Sequence, residues 1–133
     1  MKIVRTVLGD IAPEQLGFTD AHEHLMMDKD YILKLNPDYR LDSVEKTAAE
    51  VSSFMAAGGR AAVEMTCLGV GRNAKKLVEV ARRTGFHIIA STGFHRPQFY
   101  IESHYNPCAK EDGSFLPTLL LNVSFLAPHS TFP

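Results

Sequence analysis

The sequence predicts an α/β fold laid out as strand, helix, strand, helix, strand. Two stretches repeat apolar residues at spacings of three and four, the stripe of an amphipathic helix, and each is followed by a short apolar run of strand length. Both helical stretches end at a glycine, and the connections are short, as in βαβ units whose right-handed crossovers make the strands parallel. Sheets of that kind are covered on both faces, so their strands read as nearly continuous apolar runs.

Taken in order, "IVRTVL" (residues 3–8) predicts a short strand, and "GDIAPEQLG", with its Gly and Pro, a turn into a second strand around Phe18 to His22. A polar loop runs from Asp28 to Arg40. In "LDSVEKTAAEVSSFMAAGG" the apolar positions Val44, Ala48, Val51 and Met55 define one helix face. Asp42 is the expected N-cap, accepting from the backbone N–H of Glu45 while Glu45 reaches back in a capping box, and Gly58 is the expected left-handed stop. "AAVEMTC" (61–67) predicts a buried strand. "GRNAKKLVEVARRTG" (71–85) predicts a helix with Ala74, Leu77, Val78 and Ala81 on one face and Gly85 as its stop, and "FHIIAST" (86–92) predicts the next strand. Arg72 and Asn73 suit the entry of that helix, with a polar side chain as its cap.

After about His104 the texture changes. "YNPCAKEDGS" is polar and rich in turn formers, and "FLPTLLLNVSFLAPHSTFP" is apolar with three prolines and no sustained helix or strand period. The expected organisation is therefore one α/β unit over residues 1–104 and a divergent, non-native or disordered tail over 105–133.

The totals restrict the function classes. A chain of 133 residues, 45% hydrophobic and 22% charged, fits one globular domain. Fourteen basic and fifteen acidic side chains leave a net charge of -1, with no Lys/Arg stripe, so no nucleic-acid partner is expected. Cys67 and Cys108 are too few for a disulfide framework and read as free thiols of a reducing compartment. The N-terminal apolar run is too short for a signal peptide, which predicts a cytoplasmic location. Residues 115–127 fall short of the roughly 18 apolar residues a membrane helix requires, so no membrane partner is expected either.

"GFTDAHEHL" (17–25) carries the chemistry. On a strand, residues two apart point to the same side, so His22 and His24 can reach one ion while Glu23 points away. Neutral imidazole is a natural zinc ligand. An H-x-H is a weak motif alone; its weight comes from lying at the C-terminal end of an apolar strand that opens a βα series, where parallel α/β folds gather their binding residues. Asp20 is expected to share that side, either orienting a ligating ring or standing as a turn or solvent-facing carboxylate. Glu64, a charge inside a buried strand, must find hydrogen-bond partners and is expected to be structural. His87 and His104 read as structural or exposed, and Cys67 as buried packing. Asn122-Val123-Ser124 matches a glycosylation sequon that a cytoplasmic chain would not present to the glycosylation machinery.

"VRTVLGDIAPEQLGFTDAHEHL" resembles the N-terminal signature of the phosphotriesterase family of the amidohydrolase superfamily, and "GRNAKKLVEVARRTGFHIIASTGFH" resembles that family's second helix and third strand. The resemblance extends over roughly residues 3 to 104. It implies the N-terminal βαβαβ portion of a metal-dependent (β/α)8 TIM barrel, with a binuclear centre, usually zinc, at the C-terminal mouth. His22 and His24 map onto the metal-binding pair of the first barrel strand, and hydrolysis of a small phosphotriester, lactone or related ester by a metal-bridging hydroxide is the implied reaction. His95 stands where the family often carries an aromatic.

The resemblance also implies ligands this chain does not supply: a bridging carboxylated lysine or glutamate on the fourth barrel strand, one histidine each on the fifth and sixth, and an aspartate on the eighth. Lys110 and His129 lie in turn-like surroundings and are not assigned, and no catalytic residue is assigned. A barrel of this type takes about 250 residues. The expectation is an incomplete barrel, inactive alone, whose exposed sheet edge invites self-association. The alternatives are a non-catalytic α/β module that pairs with a partner chain, and an autonomous small doubly wound domain covered by its own tail.

Overall fold

In the computed structural model, which describes residues 2–28, 32–67 and 69–93, the chain opens with an antiparallel hairpin of β1 (Val4–Thr6) and β2 (Gly9–Ile11). The sequence had predicted a strand followed by a plain turn, so β2 is an addition. Its cause is local. Gly9, at φ 125, lets the chain reverse within two residues, and Arg5 grips Asp10 across the pair through Nε and Nη2 at 2.8 and 3.0 Å. The hairpin is tied to the main sheet where Val7 N–H donates to the Ile88 carbonyl at 2.8 Å.

The main sheet has three strands in the order β3 (Phe18–Glu23), β4 (Gly59–Glu64), β5 (His87–Ala90), all parallel. These are the expected strands with shifted bounds: β3 runs one residue further, β4 begins two residues earlier and ends three earlier, and β5 is shorter at both ends. Met65 to Cys67, predicted as strand, have already left the sheet, although Met65 N–H still donates to the Glu23 carbonyl at 2.8 Å. β4 and β5 pair without interruption from Ala61 opposite His87 to Glu64 opposite Ala90. β3 does not: its register against β4 shifts between Asp20 and Glu23.

α1 (Ile32–Leu35) is a single turn in the loop after β3. α2 (Val44–Ala56) and α3 (Ala74–Thr84) are the two predicted helices. The predicted α2 stripe holds: Val44 and Val51 are buried, and Ala48 and Met55 half-buried. Its cap lies one residue later than expected. Ser43, not Asp42, is the N-cap, with its hydroxyl oxygen accepting from Lys46 N–H at 3.3 Å, while Glu45 accepts from the Ser43 hydroxyl. Asp42 is engaged elsewhere, its carbonyl accepting from Lys76 Nζ at 2.6 Å. Ser43→Ala should therefore lower stability by about 1 kcal/mol and Asp42→Ala by less through its side chain; urea midpoints of the two variants check the assignment.

α3 follows its prediction closely. Asn73 caps it by accepting from Lys76 N–H at 3.1 Å, and Gly85 closes it in the left-handed conformation at φ 73. Leu77 and Ala81 are fully buried as expected; Val80, one turn from Leu77 on the same face, is buried as well. The core lies between these helices and the sheet, centred on Met26, Leu77, Val80, Phe86 and Ile88. Gly59 opens β4 beneath the Phe54 ring, where an added Cβ would sit 2.3 Å from ring carbons, so only glycine lets that ring lie on the strand. Phe54 meets Phe86 edge to face, ring centres 5.9 Å apart.

Candidate metal-binding and hydrolase site

The C-terminal ends of β3, β4 and β5 open onto a cavity of about 690 Å³. His22, His24, Met65, Cys67, Ser91 and Thr92 come from the strand ends, and Met27, Ile32, Asp38, Tyr39, Leu41 and Val70 from the loops above them. Parallel strands force this arrangement: the chain leaves all three at the same end of the sheet, and the loops that follow gather over it.

His22 and His24 both line this space, as their two-residue spacing predicted. Their ring centres are 5.5 Å apart and the planes are inclined at 71°. With Zn–N near 2.0–2.1 Å, two imidazoles on one tetrahedral ion have ring centres about 5 Å apart, so the observed spacing fits a shared divalent ion. His24 Nδ1 lies 2.9 Å from Thr66 Oγ1, which leaves Nε2 as its second nitrogen. Among the described residues no third His, Cys, Asp or Glu joins these two in a cluster able to hold a metal.

Of the two readings of Asp20, the turn-type carboxylate is the one observed, and it does not share the side of His22. Its Oδ1 accepts from the backbone N–H of His22 at 3.0 Å, bracing the strand rather than a ring, and its side chain lines a second cavity of about 470 Å³ beside α2. The register shift between Asp20 and Glu23 breaks the alternation on which the prediction rested. Glu23 lines that second cavity, away from His22, with Oε1 accepting from His24 N–H at 2.8 Å.

Glu64 is 0% exposed and its carboxylate meets three backbone N–H donors. Oε2 accepts from Leu25 at 2.6 Å and Met26 at 3.2 Å, and Oε1 from Thr66 at 2.6 Å. The expected structural role is therefore also a positional one, since Leu25 directly follows the histidine pair. The loop beyond is fixed by a second buried carboxylate. Asp28 accepts from Lys76 Nζ at 2.7 Å and Asn73 Nδ2 at 3.0 Å, and its N–H donates to the Gly71 carbonyl at 2.7 Å. Arg72 ties the helix entry to the end of β5, donating to the Ser91 carbonyl at 2.8 Å.

Cys67 is buried among Ile32, Leu33 and Val70, in the packing role expected of it, and His87 is half-buried on β5. His95, His104, Cys108, Lys110, the Asn122 sequon, His129 and the tail from residue 105 lie outside the described residues. Thr66 was not singled out by the sequence reading. The signal was present: Glu64 and Thr66 are two apart at the end of β4, as His22 and His24 are at the end of β3. No helix among the described residues is long and apolar enough to cross a membrane.

This arrangement has counterparts of known structure. An amidohydrolase from Mycoplasma synoviae superposes with a TM-score of 0.70 at 36% identity, over 76% of this chain and 30% of that one. The fold is thus the N-terminal βαβαβ portion of a (β/α)8 TIM barrel, incomplete in this chain. The profile of the Phosphotriesterase family matches residues 2–116, and the chain belongs to that family. The match ends twelve residues past the boundary read from composition. A phospho-furanose lactonase of Mycoplasmopsis agalactiae is 38% identical over 101 residues, covering 74% of this chain and 29% of the lactonase. An N-acetyltaurine hydrolase of Xenopus tropicalis is 34% identical over 121 residues, covering 69% of this chain and 35% of the hydrolase. The chain spans about a third of the length of these relatives.

Proposed function

We propose that this chain carries the first metal-binding strand of a metal-dependent hydrolase of the phosphotriesterase-like type, acting on the ester bond of a small molecule such as a lactone or phosphotriester. The observation that carries the reading is the histidine pair, two rings 5.5 Å apart that line one cavity at the strand ends. His22 and His24 would hold a divalent ion, zinc by the match of imidazole to that metal, as part of a binuclear centre. When bound there, an ion supplies Lewis-acid polarisation of the substrate oxygen and a water-derived nucleophile at neutral pH. Of the chain's own residues, Met27, Ile32, Leu41 and Val70 give the cavity an apolar wall that suits an uncharged substrate body. The lactonase relative supports the ester class. The balanced charge and the buried free thiol of Cys67 suit a small-molecule partner and a reducing cytoplasm.

The two histidines found together among the described residues are fewer than the three protein ligands of an ordinary catalytic zinc site, so the chain by itself should bind the ion weakly and hydrolyse little. Isothermal titration with Zn²⁺ and the visible absorption of bound Co²⁺ test the pair. We expect measurable binding by the chain and at least a tenfold loss in both His22→Ala and His24→Ala. Unchanged binding in either variant would remove the pair as the site, and brisk turnover of a lactone by the isolated chain would contradict the inactive reading.

A second reading is favoured by one observation. Phe18 stands 70% exposed at the start of β3, whose outer edge meets no other strand among the described residues. Such an edge suits pairing with another chain, either a second copy or a partner that leaves the unit non-catalytic. A single monomeric species in size-exclusion chromatography at every concentration tried would count against it.

A further inference from the structure

We infer that Thr66, held in place by Glu64, positions the His24 ring and presents its Nε2 to the cavity; the inference rests on the metal-binding reading of the histidine pair. Thr66 is 0% exposed, and its hydroxyl oxygen lies 2.9 Å from His24 Nδ1, a contact made across 42 residues of sequence. A neutral imidazole has one N–H and one lone pair. With Nδ1–H donating to the Thr66 oxygen, the lone pair falls on Nε2, the nitrogen left to face the space that His24 shares with His22.

Thr66 has little freedom to move. Its N–H donates to Glu64 Oε1 at 2.6 Å, and the other oxygen of the same carboxylate accepts from Leu25 and Met26, the two residues after His24. One buried carboxylate therefore fixes the hydroxyl and the backbone beyond the ring in a single frame. The end of β4 and the segment leaving β3 cannot shift independently while it is in place. Among the described residues His22 has no such arrangement: it is exposed, and its contact with Asp20 runs through the backbone N–H. Of the two rings, His24 is the one whose direction the fold sets.

The test uses the full chain with Thr66→Val, which keeps the shape and removes the hydroxyl, and Thr66→Ser, which keeps the hydroxyl. We expect Zn²⁺ affinity about 10–100-fold weaker in Thr66→Val and near the parent value in Thr66→Ser, with similar thermal midpoints in both. Long-range ¹H–¹⁵N correlation spectra of the zinc-loaded parent should show the His24 proton on Nδ1. Equal affinity in Thr66→Val and the parent, or a His24 proton on Nε2, overturns the inference while leaving the histidine pair as the metal site. No zinc binding by the parent chain overturns the underlying reading and this inference together. Should Thr66→Val fail to fold, the position of the proton in the parent and the affinity of Thr66→Ser still decide the matter, a serine variant as weak as His24→Ala counting against a hydroxyl role.

Discussion

Glu64→Ala is expected to leave the chain largely unfolded in buffer. The substitution removes the acceptor of three backbone N–H groups, those of Leu25, Met26 and Thr66, from a site with no exposure to solvent. Each buried donor left without a partner costs about 1–3 kcal/mol, so the sum is about 3 kcal/mol or more before any cavity is counted. Complete domains have only about 5–15 kcal/mol in total, and a unit with an unpaired sheet edge has less apolar burial to draw on. Glu64→Gln should be milder: the amide oxygen can serve the Leu25 and Met26 donors, but its NH2 then faces the Thr66 N–H, a loss of about 1–3 kcal/mol. Urea denaturation followed by far-ultraviolet circular dichroism should rank the parent above Gln and Gln above Ala. A midpoint unchanged in the alanine variant would mean that these N–H groups have other acceptors, and the frame around His24 would then lose its anchor.

Phe86→Ala should lower stability by about 3–5 kcal/mol, the range for deleting a large ring from a packed core. Phe86 is 2% exposed and lies where α3 turns back into β5, against the edge of Phe54. Phe54 in turn rests on Gly59, so the ring pair joins α2 to the first residue of β4. A double-mutant cycle with Phe54→Ala should give a coupling of about 0.5–1.5 kcal/mol for the edge-to-face contact. Phe18 provides the contrast. It also lies near Phe54, with ring centres 6.1 Å apart, yet it is 70% exposed, so Phe18→Ala should change the urea midpoint little. A large effect at Phe18 would show that this face is covered in solution, as the partner-chain reading requires.

What could be read in advance follows the range of the interactions. The stripe of α2, the Asn73 cap and the Gly85 stop of α3 all arise from groups three or four residues apart, so composition and spacing are enough to find them. The Asp42 cap failed by one residue because two cap-forming side chains stand side by side, and the helix begins where the Ser43 hydroxyl, not the Asp42 carboxylate, accepts from a free N–H of the first turn. The side chosen by Asp20 failed because a register shift in β3 moves it off the alternation a regular strand would impose. The register shift, set by pairing with β4, leaves no mark within a window of ten residues.

The sequence by itself determined the order of strands and helices, the presence of two histidines on one side of a strand end, and the family to which the chain belongs. The tertiary structure alone decided that His24 meets Thr66 and that Glu64 serves both strand ends, because those partners lie 42 and 39 residues apart and come together only when β3 and β4 pair. Periodicity records which face of an element is buried. The identity of the group waiting on that face is fixed by packing, and a buried carboxylate takes whichever donors the neighbouring backbone brings within reach.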